Sequence, residues 1–437
     1  MSFSLIWESE SQTAQAGDDS IENIQAGTDA QVLQMTEDAQ PVLDGANEID
    51  KVVQGVGQLG QVKQFVDSQV AQGGMSEQTA QLAQIHVESI CNALRYPTKS
   101  SPIPASENFG STGSRLQSTR LASEGIADRA KTMFEAVKKF LKKVVGMAAD
   151  AWSGLWNNAM LLEKRLDMME KKVKDLKGTP GSDQIDCKAA LKLLGQKTFT
   201  AANIKATIEP VSKALGILEN VADTIGSANT NLKKMLSTST SLSETSSPFS
   251  AAFMKTEMTK LGANSFETKD GADVAKSDIM PGGRVTVFTV TETEGVGSLS
   301  ISVERDEMKD VTEKMAPLSK DEMLAVLKAA REVFTALKSK KDNASKLKKV
   351  GSDIESSIDS IMSASKNKPT DAKDDALKAH EEKLPKALDS IKSMYITQVN
   401  YATKMVTTGT IMTGEIVRGV LDIVGKSASG FKEAAKP

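Results

Sequence analysis

Apolar residues recur at helical spacing along most of the chain. The strongest run starts at Ile126 and passes through 130, 133, 137, 140 and 144. After one extra residue it resumes at 148, 152, 155, 159, 162, 166, 169, 173 and 176. Steps alternating between four and three form a coiled-coil-like seam with a stutter near Gly146. One helix over 126–176 would be about 76 Å long at 1.5 Å per residue. The seam favours that continuity over a hairpin bent at Gly146 or Gly154, and Gly178-Thr179-Pro180-Gly181 stops the run.

Upstream, residues 20–95 predict helices of weak hydrophobicity broken by Gly and Gln. Val52, Val53, Val56, Leu59, Val62, Phe65, Val66 and Val70 recur at helical spacing, and a further helix starts at Ser76 and runs through Leu82, Ile85, Ile90 and Leu94. Tyr96-Pro97 ends it, and the Pro, Ser, Gly and Thr content of 97–119 predicts a linker.

Downstream, 186–237 is helical by period and ends in the Ser/Thr tract 236–250. Val285 to Val290 and Ser298 to Glu304 flank a turn holding Gly295 and Gly297, and Leu299, Ile301 and Val303 alternate with serines as a half-buried strand should. Ser319 and Glu322 form a capping box ahead of Met323, Leu324, Leu327, Val333, Phe334 and Leu337. Helices follow at 344–365 and 372–427, the last rich in Thr, Met and Val. The expected fold is mainly α: an elongated helical bundle with coiled-coil-like helices and a small antiparallel β-hairpin insert. Its expected regions are an acidic arm with linker (1–107), a long amphipathic helix with a helical region (108–240), a Ser/Thr linker with the hairpin (241–310) and a helical C-terminal part (311–437).

Charge divides the chain more sharply than hydropathy does. Through Glu107 there are four basic residues (Lys51, Lys63, Arg95, Lys99) against fifteen acidic ones, a net of −11. The rest holds fifty basic and forty-two acidic residues, a net of +8, so the overall −3 hides two parts of opposite sign. Such asymmetry points to one part that is masked or removed and another that meets something anionic.

Only two cysteines and two histidines are present, which excludes a disulfide scaffold and argues against a Cys/His zinc site. Met1 to Ser11 carries Glu8 and Glu10 and no basic residue, unlike a signal peptide, and no uncharged apolar run approaches the roughly 18 residues of a membrane span.

Enzyme constellations do not assemble from the sequence. Gly55-Val56-Gly57-Gln58-Leu59-Gly60 has dinucleotide-binding spacing, but it lacks the preceding strand and βαβ context that would aim helix-start amides at a pyrophosphate. His86 and Cys91 have no triad partner nearby. Glu292 with Glu294, and Asp374 and Asp375 with Glu381 and Glu382, match no calcium or two-metal spacing. No catalytic residue, metal or cofactor is expected.

Two features remain. Lys131, Lys138, Lys139, Lys142 and Lys143 flank the seam that holds Phe134, Phe140, Trp152 and Trp156. Such a helix packs in a bundle with its lysines in water, touches phosphates non-specifically, or lies on a membrane. The second feature is Ala105-Ser106-Glu107 before Asn108, a small-x-Glu of the kind viral maturation proteases cut after. The same pattern ends at Glu22, Glu48, Glu267, Glu304, Glu332 and Glu381, but Glu107 lies in the linker where the charge changes sign. Ala122-Ser123-Glu124, read as a helix entrance, is the second candidate.

The stretch from Ser101 to Lys174 resembles the phiKZ-like internal head proteins of large tailed phages. The resemblance rests on small-x-Glu followed by Asn108-Phe109-Gly110, then Arg115-Leu116-Gln117-Ser118-Thr119-Arg120, Ala122-Ser123-Glu124-Gly125-Ile126, and a Lys/Phe/Val/Trp helix ending in Leu162-Glu163-Lys164-Arg165. Leu318-Ser319-Lys320-Asp321-Glu322-Met323 adds a weaker match. The lack of a convergent His, Cys or carboxylate set argues against an enzyme, and the cysteine usage fits synthesis in the host cytoplasm. The resemblance implies a virion protein packaged inside the capsid with the genome. It also implies an N-terminal propeptide removed by the prohead protease at Glu107–Asn108. The implied partners are that protease, packaged DNA and other internal head or capsid proteins. Transient membrane contact belongs to the alternative, an ejected effector that uses the Trp-bearing helix. Loss of the acidic arm would move the charge from −3 to +8, favouring retention beside DNA through counterion release.

Overall fold

The computed structural model describes residues 20–96, 101–181, 183–237, 250–293, 296–364 and 374–432. Met1 to Ser11, most of the Ser/Thr tract, Glu294 and Gly295 lie outside them. The described chain is mainly helical, with small antiparallel sheets.

The N-terminal arm is one helix, α1 (Ile21–Ala71), rather than a series of short ones. Ser20 caps it, its side chain accepting from Asn23 N–H at 3.2 Å. The glycines expected to break it are carried within the helix, and Gly55 is a contact point: a Cβ there would collide with Leu94. A second helix, α2 (Glu77–Ala93), starts at Ser76 as the sequence predicts. Its buried face is Ala80, Ala83, Val87, Ile90 and Cys91, while Leu82 and Ile85 are exposed.

The central helix α3 (Thr112–Asp175) is continuous past Gly146 and Gly154. It begins well before 126, so 112–119 is helix and not linker. Ser111 caps it, and Thr119 Oγ1 accepts from Met75 N–H at 2.8 Å. Its inward positions Ile126, Met133, Val137, Leu155, Leu162 and Val173 are buried. The buried face widens at Val144, Val145, Ala148 and Ala149, near the stutter. Neighbours approach from two sides there: a Cβ on Gly45 of α1 would lie 2.8 Å from Val144, and one on Gly351 would lie 3.0 Å from Val145.

Short strands β1 (Thr179–Pro180) and β2 (Ile185–Asp186) precede α4 (Lys188–Leu194). The helical run expected over 186–237 is divided. Gly195, at φ 66°, ends α4 in the left-handed conformation, and α5 (Ala201–Ser237) follows. Then come α6 (Ala251–Lys260), β3 (Glu267–Lys269), β4 (Ala272–Lys276), β5 (Arg284–Thr293) and β6 (Val296–Arg305), which form one antiparallel sheet in that order. The predicted hairpin is β5–β6, registered from Arg284 opposite Arg305 to Thr293 opposite Val296. β7 (Lys314–Met315) pairs with β2.

α7 (Lys320–Lys338) opens with the predicted capping box, Ser319 N–H donating to Glu322 Oε2 at 2.8 Å. α8 (Asn343–Ala364) and α9 (Asp374–Ser429) follow, and β8 (Phe431–Lys432) closes on β1.

The core is organised around α9, which meets α1, α3, α4, α5, α7, α8 and β6. From Ile391 to Val417 nearly every position is buried, polar residues included. Buried hydroxyls bond back into the helix: Thr403 donates to the Val399 carbonyl at 2.8 Å, Thr407 to Thr403 at 2.9 Å and Thr413 to Gly409 at 3.0 Å. Close approach uses glycine. A Cβ on Gly409 would lie 2.8 Å from Leu215, and one on Gly414 would lie 3.0 Å from Val32. A helix enclosed on all sides loses the polar face that a surface helix keeps. No described helix is long and apolar enough to cross a membrane.

Candidate processing site and basic face

Ser106–Phe109 forms a single 3-10 turn between α2 and α3. Ala105, Glu107 and Asn108 are exposed. The bond after Glu107 is held from both sides. Asn108 N–H donates to the Ala105 carbonyl at 3.0 Å, and the Asn108 carbonyl accepts from Ser118 Oγ at 3.1 Å. Phe109, 0% exposed, is sunk into the core, and its carbonyl accepts from Arg115 Nε at 2.9 Å.

The second candidate stands differently. Ala122, Ser123 and Glu124 lie inside α3, not at a helix entrance. Ala122 and Ser123 are buried, Ser123 Oγ donating to Asp67 of α1, while Glu124 is exposed. The other small-x-Glu matches fall in α-helices or strands: Glu22 and Glu48 in α1, Glu267 in β3, Glu304 in β6, Glu332 in α7 and Glu381 in α9.

The five lysines do not form one uniform strip. Lys131, Lys139, Lys142 and Lys143 are exposed. Lys138, with a side chain 12% exposed, turns toward α8, 3.0 Å from Glu135 and 3.8 Å from Asp359. Lys138, Lys139 and Lys142 line a cleft of about 140 Å³ with Gly351 and Ile354. The aromatics face inward. Trp152 is 2% exposed and donates from Nε1 to the Lys341 carbonyl at 3.3 Å. Lys341 Nζ sits 5.6 Å from the Trp156 ring centroid, and Lys392 Nζ 5.8 Å from that of Phe134.

Sequence reasoning missed how the acidic arm binds the rest. α1 and α3 run antiparallel side by side: Gly27 faces Arg165, Gly45 faces Val144, Asp67 meets Ser123 and Gly74 faces Arg115. Ion pairs tie α1 to α9 as well. Asp50 pairs with Lys404 and accepts from Asn400 Nδ2 at 2.6 Å, and Asp29 lies 2.7 Å from Arg418. Burial pushes the Asp50 carboxyl above its ordinary value, against the opposing pull of Lys404 and Asn400.

The Gly55–Gly60 motif sits inside α1, with its amides in a helical run and no phosphate loop. Burial raises both the Cys91 and Cys187 thiols, the opposite of an activated nucleophile.

The model of the phiKZ-like phage internal head proteins matches residues 20–425. The chain belongs to that family. It is therefore a structural protein of the phage particle, located inside the head. No curated protein and no solved structure matches it.

Proposed function

We propose that this internal head protein is made in the host cytoplasm, packaged with the genome, and cut by the phage prohead protease after Glu107. The observation that carries the reading is local. Among the glutamates that end small-x-Glu sequences, only Glu107 lies outside every α-helix and strand, on an exposed turn. A protease binds an extended segment, and one 3-10 turn opens at far less cost than the middle of a long helix.

The exposed lysines Lys131, Lys139, Lys142 and Lys143 suit weak, non-specific contact with packaged DNA through phosphates. Other internal head or capsid proteins are the remaining proposed partners. The inward packing of Trp152 and Trp156 supports this structural role over an ejected effector, because a membrane-binding helix would have to expose those rings.

Co-expression of the chain with the prohead protease, followed by N-terminal sequencing of the large product, tests the proposal. The expected first residue is Asn108. An uncut chain, or a product starting at Gly125, would overturn it.

A further inference from the structure

The arm that the cut would sever is not an appendage. Val32, Met35, Ala39, Val42 and Ile49 of α1 belong to the same buried cluster as Leu155 and Leu162 of α3 and Val406 and Val420 of α9. A second cluster is likewise built from both sides of Glu107. Leu59, Val66 and Ile90 come from before it, and Phe109, Ile126 and Met133 from after it. Polar contacts tie the same surfaces together: Asp50 to Lys404 and Asn400, Asp29 to Arg418, and Gln31 Nε2 to Asn158 Oδ1 at 3.0 Å.

We infer that cleavage at Glu107 does not release the arm: residues 20–96 stay seated against α3 and α9 as a non-covalent partner of the remainder. The inference builds on the proposed cut but concerns what the cut leaves behind. Breaking one peptide bond in an exposed turn removes none of these contacts. Departure of α1 would strip a long apolar face from α3 and α9 and leave Lys404 without its carboxylate. The nicked protein therefore keeps its net charge of −3, and the cut by itself brings no swing to +8. Any contact with DNA then depends on the local lysine face and not on the overall charge.

The test does not need the phage protease. A site-specific protease sequence is inserted between Glu107 and Asn108 of the full chain, which is then cut and passed over a sizing column. Both fragments are expected in one peak with unchanged helical circular dichroism. Elution of the arm by itself, or precipitation of the remainder, would overturn the inference. Insertion of the same sequence between Gly110 and Ser111, both exposed, gives the same readout should the first insertion prevent folding. Val42→Asp, made in the insertion chain, places a carboxylate in the shared cluster and should raise loss of the arm after cutting at least about tenfold. Unchanged retention would show that this face does not hold the arm. Failure of the phage protease to cut at Glu107 would sink the processing proposal and leave these outcomes readable.

Discussion

The chain spells Ala-Ser-Glu twice, ending at Glu107 and at Glu124, and the structure treats the two copies in opposite ways. The first occupies a single exposed turn. The second is wound into α3, with its alanine and serine buried against the end of α1. Identical letters thus differ in the one property a protease needs, a backbone that can leave its hydrogen bonds cheaply. The neighbours set the difference in exposure: Phe109 anchors one end of the turn without covering it, whereas Asp67 and the whole length of α3 enclose the other copy.

The comparison breaks most directly at the glutamates. Glu107→Gln should abolish cutting, at least about a hundredfold in rate, if the proposed small-x-Glu cut is right, while Glu124→Gln should leave both rate and product mass unchanged; gel densitometry over a time course reads both. Phe109→Ala should come next, costing about 3–5 kcal/mol of stability and speeding cleavage several-fold by releasing the turn, as chemical denaturation and the same time course would show. Ser118→Ala frees the Asn108 carbonyl and should raise the rate by a smaller factor, with a loss of about 1 kcal/mol. Ser123→Ala should cost a similar amount and still yield no product starting at Gly125. Such a product would mean that side-chain hydrogen bonds, and not the helix itself, protect the second copy.

The smallest effect concerns pH. Asp50 has its carboxyl raised by burial, so the folded chain holds that proton more tightly than the unfolded one. Its contribution to stability grows as pH falls from that raised value toward the ordinary 3.8, and Asp50→Asn should remove this dependence from a series of denaturant melts. Glu170 behaves in the opposite sense. Hydrogen bonds from Lys174 and then Arg331 lower its carboxyl, so its contribution is present above the ordinary value and is lost as pH falls through the lowered one.

Helix α3, the capping box at Ser319 and the β5–β6 hairpin were legible because each is a local pattern, a period or a pair of caps. The start of α3 was not, because Gly113, Ser114, Ser118 and Thr119 look like linker composition. Side chains there bond to the neighbouring turn and to Met75, which sequence composition does not record. The glycines of α1 misled for a related reason: each costs a helix about 1 kcal/mol, and Gly27, Gly45 and Gly55 allow close approach of neighbouring side chains, while Gly57 and Gly60 face open space and are simply carried by the long helix. Strands β3 and β4 went unread although Asp270 and Gly271 both take positive φ, as a tight hairpin requires. The flanking residues are too charged to alternate.

At the candidate site, Glu107 was singled out by its place in the linker and lies on an exposed turn, whereas Glu124 was misplaced because the helix begins earlier than its apolar seam. Lys138 was grouped with solvent-facing lysines, since the period of one helix cannot reveal a second helix opposite it. The Asp50–Lys404 pair joins residues 354 apart and leaves no local signal.

Residues on both sides of the proposed cut share one core. Intact-mass spectrometry of purified phage particles tests it most directly. The account predicts a large fragment beginning at Asn108, accompanied by the fragment that ends at Glu107. A single uncut chain of 46.7 kDa, or a large fragment without its arm, would contradict it.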